Sequence, residues 1–77
     1  MIVTLYTKAD CGLCEKAEDS LRAMQQSIQF ELRLVYIEEE PALLERLGDR
    51  VPVVYVEGRE VASAPVEEAA IRTALSS

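Results

Sequence analysis

Ile2-Val3-Thr4-Leu5-Tyr6-Thr7-Lys8-Ala9-Asp10-Cys11-Gly12-Leu13-Cys14 is the stretch that decides the fold. Its opening residues, Ile2 to Tyr6, are an apolar run that ends at a loop, Thr7-Lys8-Ala9-Asp10, and they read as a buried strand. From Cys11 the period changes. Cys14, Ala17, Leu21 and Met24 recur at spacings of three and four, while Glu15, Lys16, Glu18, Asp19 and Arg22 fall on the other side, the pattern of an amphipathic helix. Gln25-Gln26-Ser27 closes that helix. A strand thus runs through a short loop into a helix whose start carries Cys11 and Cys14, the two cysteines of the chain.

Downstream, Phe30 to Ile37 reads as a second strand. Phe30, Leu32, Leu34 and Tyr36 share one face, and the other carries Glu31 and Arg33 and then Val35 and Ile37. A strand that turns apolar on both faces predicts a sheet covered on both sides. In Glu40-Pro41-Ala42-Leu43-Leu44-Glu45-Arg46-Leu47-Gly48, proline at the first turn and glycine past the end punctuate a short helix. Leu43, Leu44 and Leu47 give it a narrow apolar stripe. Val51 to Val56 is a third strand, and Glu57-Gly58 or Gly58-Arg59 turns it into a fourth around Val61-Ala62. Pro65 opens a last helix with Val66, Ala69, Ala70, Ile71, Ala74 and Leu75 available for burial.

The order β-α-β-α-β-β-α predicts an α/β fold. Strands separated by helices pair in parallel through right-handed crossovers, and the final hairpin adds an antiparallel edge. The result is a mixed four-stranded sheet with helices on both faces. Seventy-seven residues fit one domain, 1–77, with no room for a second core.

Charge and composition exclude several classes. Fourteen acidic residues against eight basic ones give a net charge of −6, and the basic residues never cluster. Nucleic acid and anionic membrane both need concentrated positive charge, so neither is expected as a partner. The apolar runs fall far short of the ~20 residues of a membrane span. The strand pattern begins directly after Met1, without a basic leader segment, and a cytoplasmic location is expected. The chain has no histidine. That removes the usual general base and the Cys-His nucleophile arrangement. It also means that the two cysteines cannot fill a four-ligand structural zinc site unless carboxylates or a second protomer help.

Cys11-Gly12-Leu13-Cys14 is therefore the carrier of covalent chemistry. In a reducing compartment such a pair is catalytic or metal-binding rather than a structural staple. Disulfide exchange needs a thiolate attacker, a good leaving group and a second thiol close enough to resolve the mixed disulfide. Cys11 stands before the helix, where unpaired N–H groups and the positive dipole end stabilise an anion, and it is the candidate nucleophile. Cys14, one turn in and on the apolar stripe, is the candidate resolver. Lys8 is the cation placed to favour the thiolate further; Asp10 opposes it unless its side chain caps the helix. The alternative is a soft-metal carrier that binds Cu(I) or Zn(II) through the same thiols.

Val51-Pro52 is the second informative site. Proline cannot donate to a sheet ladder and is unusual at the start of a central strand. A cis bond there would expose the backbone of Val51 to an extended peptide or thiol ligand, whereas a trans proline would simply begin the strand. Only ~5–6% of X-Pro bonds are cis, so the dipeptide alone leaves trans ahead.

Tyr6 to Cys14, then Val51-Pro52 before a strand, then Glu57-Gly58 in a hairpin, resemble the glutaredoxins along the whole chain, and a short bacterial glutaredoxin-like group in particular. The resemblance implies a thioredoxin-like fold and a dithiol–disulfide oxidoreductase acting in electron transport and cell redox homeostasis. It makes Cys11 the nucleophile, Cys14 the resolving thiol and Lys8 the lysine near the thiolate. It makes Pro52 a cis-proline and Val51 the backbone that pairs with the cysteine of glutathione. The chain also departs from the family. Arg50 replaces the threonine of the usual Thr-Val-Pro. Ala62-Ser63-Ala64-Pro65 replaces a Gly-Gly pair followed by aspartate, leaving the Ser63 hydroxyl and the Arg50 charge as ligand contacts. Gly12-Leu13 replaces Pro-Tyr or Pro-Phe. The fold and the thiol pair carry over; glutathione specificity does not.

The expected reaction is reduction of protein or glutathione mixed disulfides, with no tightly bound cofactor or metal and glutathione as a possible co-substrate. The expected partners are a disulfide-containing protein or glutathione and a thiol reductant the sequence does not identify, with the protein a monomer. Two alternatives use the same thiols: the soft-metal carrier, whose usual element order lacks a helix at 41–47 and a helical C-terminus, and a glutaredoxin dimer bridged by an iron–sulfur cluster.

Overall fold

The computed structural model describes residues 1–76. Strand β1 (Ile2–Thr7) leads into helix α1 (Gly12–Met24), strand β2 (Glu31–Tyr36), a one-turn 3-10 helix (Ile37–Glu39) and helix α2 (Pro41–Leu47). Strands β3 (Val53–Val56) and β4 (Arg59–Ser63) follow, and helix α3 (Glu68–Ser76) ends the described chain. The four strands form one sheet in the order β2-β1-β3-β4.

Element lengths explain the strand directions. Helix α1 has 13 residues and rises ~20 Å, enough to return the chain along a six-residue strand of about the same length. β2 accordingly pairs parallel to β1, with Leu5 opposite Leu34. Helix α2 has seven residues and rises only ~10 Å. The connection through it leaves the chain at the end of the sheet where β2 stops, so β3 runs antiparallel to β1, with Leu5 opposite Val54. The expectation that helix-separated strands pair in parallel thus holds for β1–β2 and fails for β3. The final hairpin is antiparallel with β4 at the edge, as expected, and its register shifts between Val54 and Tyr55. Its turn residues are Glu57 (φ 49°) and Gly58 (φ 81°), both left-handed, which suits the twist of a two-residue hairpin.

Two apolar clusters sandwich the sheet. Val3, Leu5, Val54 and Val56 meet Ala17, Leu21 and Met24 of α1 and Ile71 of α3. The alternate residue Val53 joins Cys14, Ile37, Leu47 and Val51, with Tyr6, Tyr55 and Leu43 packed alongside. All four stripe positions of α1 are buried, Leu21 and Met24 completely, and a fully buried leucine stabilises the fold by about 1.5–3 kcal/mol. Tyr6 and Tyr55 meet edge to face, ring centroids 5.2 Å apart.

Three local expectations change. Pro65 does not open the last helix; it lies in the turn before it, after a cis Ala64-Pro65 bond, and α3 starts at Glu68, which pairs with Arg72 one turn on at 2.7 Å. Ala69 and Ala70 are exposed there and Ile71 is the buried residue of α3. Leu44 is exposed rather than part of a buried stripe, because Leu43 and Leu47, four apart, are the pair that α2 turns inward. Ile37 leaves β2 for the 3-10 turn and is fully buried there, whereas Tyr36 at the end of this edge strand is exposed.

Candidate dithiol site

β1 and α1 deliver the cysteines to one end of the sheet. Asp10 takes a left-handed backbone (φ 54°) that reverses the chain after the β1 loop, a conformation that aspartate tolerates better than most residues. Cys11 then sits at the N-cap of α1 in extended conformation, and its Sγ accepts the backbone N–H of Cys14 at 3.2 Å. The cap position is thus filled by sulfur. Cys11 is bonded to Cys14 with the Cα atoms 5.2 Å apart, well inside the range a disulfide spans. Cys11 is half-buried and Cys14 is 2% exposed, held among Ile37, Leu47, Val51 and Val53. One sulfur is reachable, the other enclosed. The N–H on Cys11 Sγ and the open end of α1 both favour negative charge on that sulfur once the pair is reduced.

The Val51-Pro52 bond is cis, and both residues are buried immediately before the central strand β3. Val51 belongs to the cluster that surrounds Cys14, and Cys11 packs against that cluster. Cys11, Cys14 and Val51 are therefore brought together, with Pro52 beside Val51. Ser63, half-buried at the end of β4, is paired across the sheet with Val53. The two cations are directed elsewhere. Lys8 is half-buried and its Nζ donates to the Gly48 carbonyl at 3.4 Å, at the C-terminal end of α2, where a cation is favoured. Arg50 is exposed and forms an ion pair with Glu60 of β4.

Two features were not read from the sequence. Glu38, in the 3-10 turn, accepts the Ala9 N–H with its carboxylate at 2.7 Å and so ties down the loop that leads to Cys11. The run Glu38-Glu39-Glu40 reads only as the entry to a helix, and a contact 29 residues apart leaves no local signal. A groove of about 200 Å³ lies beside the pair, lined by Leu13, Lys16, Ala17 and Ser20 of α1 and by Pro65 and Val66. Leu13, between the cysteines and half exposed, is the one hint of it in the sequence. Among the described residues no three His, Cys, Asp or Glu side chains are grouped to hold a metal, and no helix is long and apolar enough to cross a membrane.

A parallel β-α-β unit, an antiparallel hairpin, a Cys-x-x-Cys at the first helix and a buried cis-proline opposite it define a glutaredoxin-like protein of the thioredoxin fold. Residues 2–76 match the family model of the glutaredoxin-like domain (DUF836), and the chain belongs to that family. Among solved structures, protein XcR50 from X. campestris is 35% identical, with a TM-score of 0.76 over 96% of this chain and 95% of the other. Protein Ne2328 from Nitrosomonas europaea is 30% identical, with a TM-score of 0.81 over 94% and 87%. A mutant thioredoxin from Halobacterium salinarum shares the fold at 20% identity, with a TM-score of 0.67 over 96% and 70%.

Proposed function

We propose that the protein is a dithiol–disulfide oxidoreductase that reduces mixed disulfides of proteins or of glutathione through Cys11 and Cys14. The reading rests on one observation above all: the two sulfurs are unequal. Cys11 stands half-buried at the helix N-cap with an N–H on its sulfur, while Cys14 is enclosed three residues on.

The reduced protein starts as Cys11 thiolate and Cys14 thiol. The Cys11 sulfur attacks one sulfur of the substrate, and the other leaves as a thiolate that takes a proton from solvent. Cys14 then loses its proton and attacks the Cys11 sulfur, releasing the second substrate thiol. The substrate disulfide gains two electrons, and the Cys11–Cys14 disulfide seen here is the oxidised product. A low-molecular-weight or protein thiol returns the two electrons by the same exchange. Val51, next to the cis-proline and in the cluster around the pair, supports pairing with an extended substrate. Lys8 and Arg50 would contribute to the site only by leaving the Gly48 carbonyl and Glu60, and Ser63 would offer the substrate its hydroxyl.

The test is a single turnover. Pre-reduced protein, freed of excess reductant, is mixed with a peptide carrying a thionitrobenzoate mixed disulfide, and thiol release is followed by absorbance. One equivalent should appear quickly with wild type and disappear with Cys11→Ser. Equal release by Cys11→Ser removes Cys11 as the nucleophile.

A further inference from the structure

The groove between α1 and the Ala64-Pro65-Val66 turn has no part in the exchange itself, yet it includes Leu13, which stands between the two cysteines in sequence. Four of its six lining residues are apolar: Leu13, 52% exposed, Ala17, Pro65 and Val66. Pro65 itself has no N–H to offer a carboxylate. The polar groups are Ser20 and Lys16, and Lys16 is the single charge in a lining that belongs to a chain of net charge −6. A volume of about 200 Å³ is below the ~300–1,000 Å³ of sites that enclose a whole small ligand. It suits one aliphatic or aromatic side chain, not a tripeptide.

We infer that this groove is a specificity pocket for a polypeptide disulfide: it takes an apolar side chain next to the substrate cysteine, and Lys16 pairs with a carboxylate further along the same segment. This deepens the thiol–disulfide reading and rests on it. Two observations fix the occupant. The groove includes Leu13, two residues from Cys11 in the chain, so a side chain held there lies close to the sulfur under attack. Its one charge is positive while the surrounding chain is acidic, so a carboxylate placed at Lys16 is matched and one placed elsewhere is repelled. The Pro65–Val66 wall offers an apolar surface, so a substrate gains here by burying hydrocarbon.

Four thionitrobenzoate mixed disulfides test this against pre-reduced protein: a peptide with leucine on both sides of its cysteine and glutamate beyond, the same peptide with lysine for the glutamate, the first peptide with serine for both leucines, and glutathione. Wild type should react about tenfold faster with the leucine peptide than with the serine peptide, the discrimination a modest apolar pocket gives. It should also react more slowly with glutathione than with the leucine peptide. Leu13→Ser should bring the leucine-to-serine ratio close to one, and Lys16→Glu should reverse the preference between glutamate- and lysine-bearing leucine peptides. These are ratios within one protein sample, so a loss of folded material does not move them. A wild-type ratio near one, a ratio that Leu13→Ser leaves unchanged, or faster reaction with glutathione overturns the pocket while the thiol exchange stands. Absence of thiol release from all four substrates overturns the exchange reading itself, and the pocket with it.

Discussion

Reducing the Cys11–Cys14 disulfide should leave the protein folded and lower its stability only slightly. The bond closes a loop with a sequence separation of three. In the chain-entropy account a loop of about four residues constrains the unfolded chain by roughly 2 kcal/mol, against ~3 kcal/mol for fifteen residues. The larger cluster, with Val3, Leu5, Leu21, Met24 and Ile71 fully buried, contains neither cysteine, so the core survives reduction intact. Anion stabilisation of the freed Cys11 sulfur at the α1 N-terminus offsets part of even that loss. Urea unfolding of oxidised and reduced protein, followed by circular dichroism, measures the difference. Two cooperative transitions of equal slope, separated by about 2 kcal/mol or less, are expected. A separation beyond about 4 kcal/mol, or a reduced form without a cooperative transition, would falsify the reasoning, because the pair would then be a structural staple of a small domain.

Two further outcomes follow from local geometry. Glu57 carries a left-handed backbone in the β3–β4 turn next to Gly58. Glu57→Asn should raise the unfolding midpoint, by an amount equivalent to about 0.5–1 kcal/mol, since Asn-Gly is the preferred pair for this turn; a lowered midpoint contradicts the assigned turn. Glu38→Ala removes the acceptor of the Ala9 N–H. At about 1 kcal/mol for one such hydrogen bond, exchange of the Ala9 amide should speed up roughly fivefold, with Glu38→Gln restoring part of the protection. Unchanged exchange would show that the loop before Cys11 is held by other contacts.

Much of the fold is legible because it is written in local periods. Cys14, Ala17, Leu21 and Met24 set the buried face of α1, and every one of them is buried. The change from strand to helix between Tyr6 and Cys11 places the thiol pair at a helix start, and the family resemblance points to the cis bond at Val51-Pro52 that the dipeptide alone leaves open. What was not legible depends on distances between elements. The direction of β3 depends on which end of the sheet the chain reaches after α2, which the expectation of a parallel crossover did not weigh. Pro65 has the composition of a helix start, but the chain turns there and α3 begins at Glu68. The Glu38–Ala9 contact and the groove that joins Leu13 to Val66 exist only once segments far apart in sequence meet. Lys8 and Arg50 show the same limit: both lie near the site in sequence, and the folded chain gives them Gly48 and Glu60 as partners.

The central claim is the division of labour between the two sulfurs, and trapping the mixed disulfide tests it most directly. Cys14→Ser keeps the half-buried sulfur at the α1 N-cap and removes the enclosed one that would release it. Mixed with a peptide disulfide and measured by intact mass and fragment mapping, it should accumulate one covalent adduct, on Cys11. The reciprocal Cys11→Ser should accumulate none in the same time. An adduct on Cys14 of Cys11→Ser, formed as fast as the one on Cys11, would contradict the account.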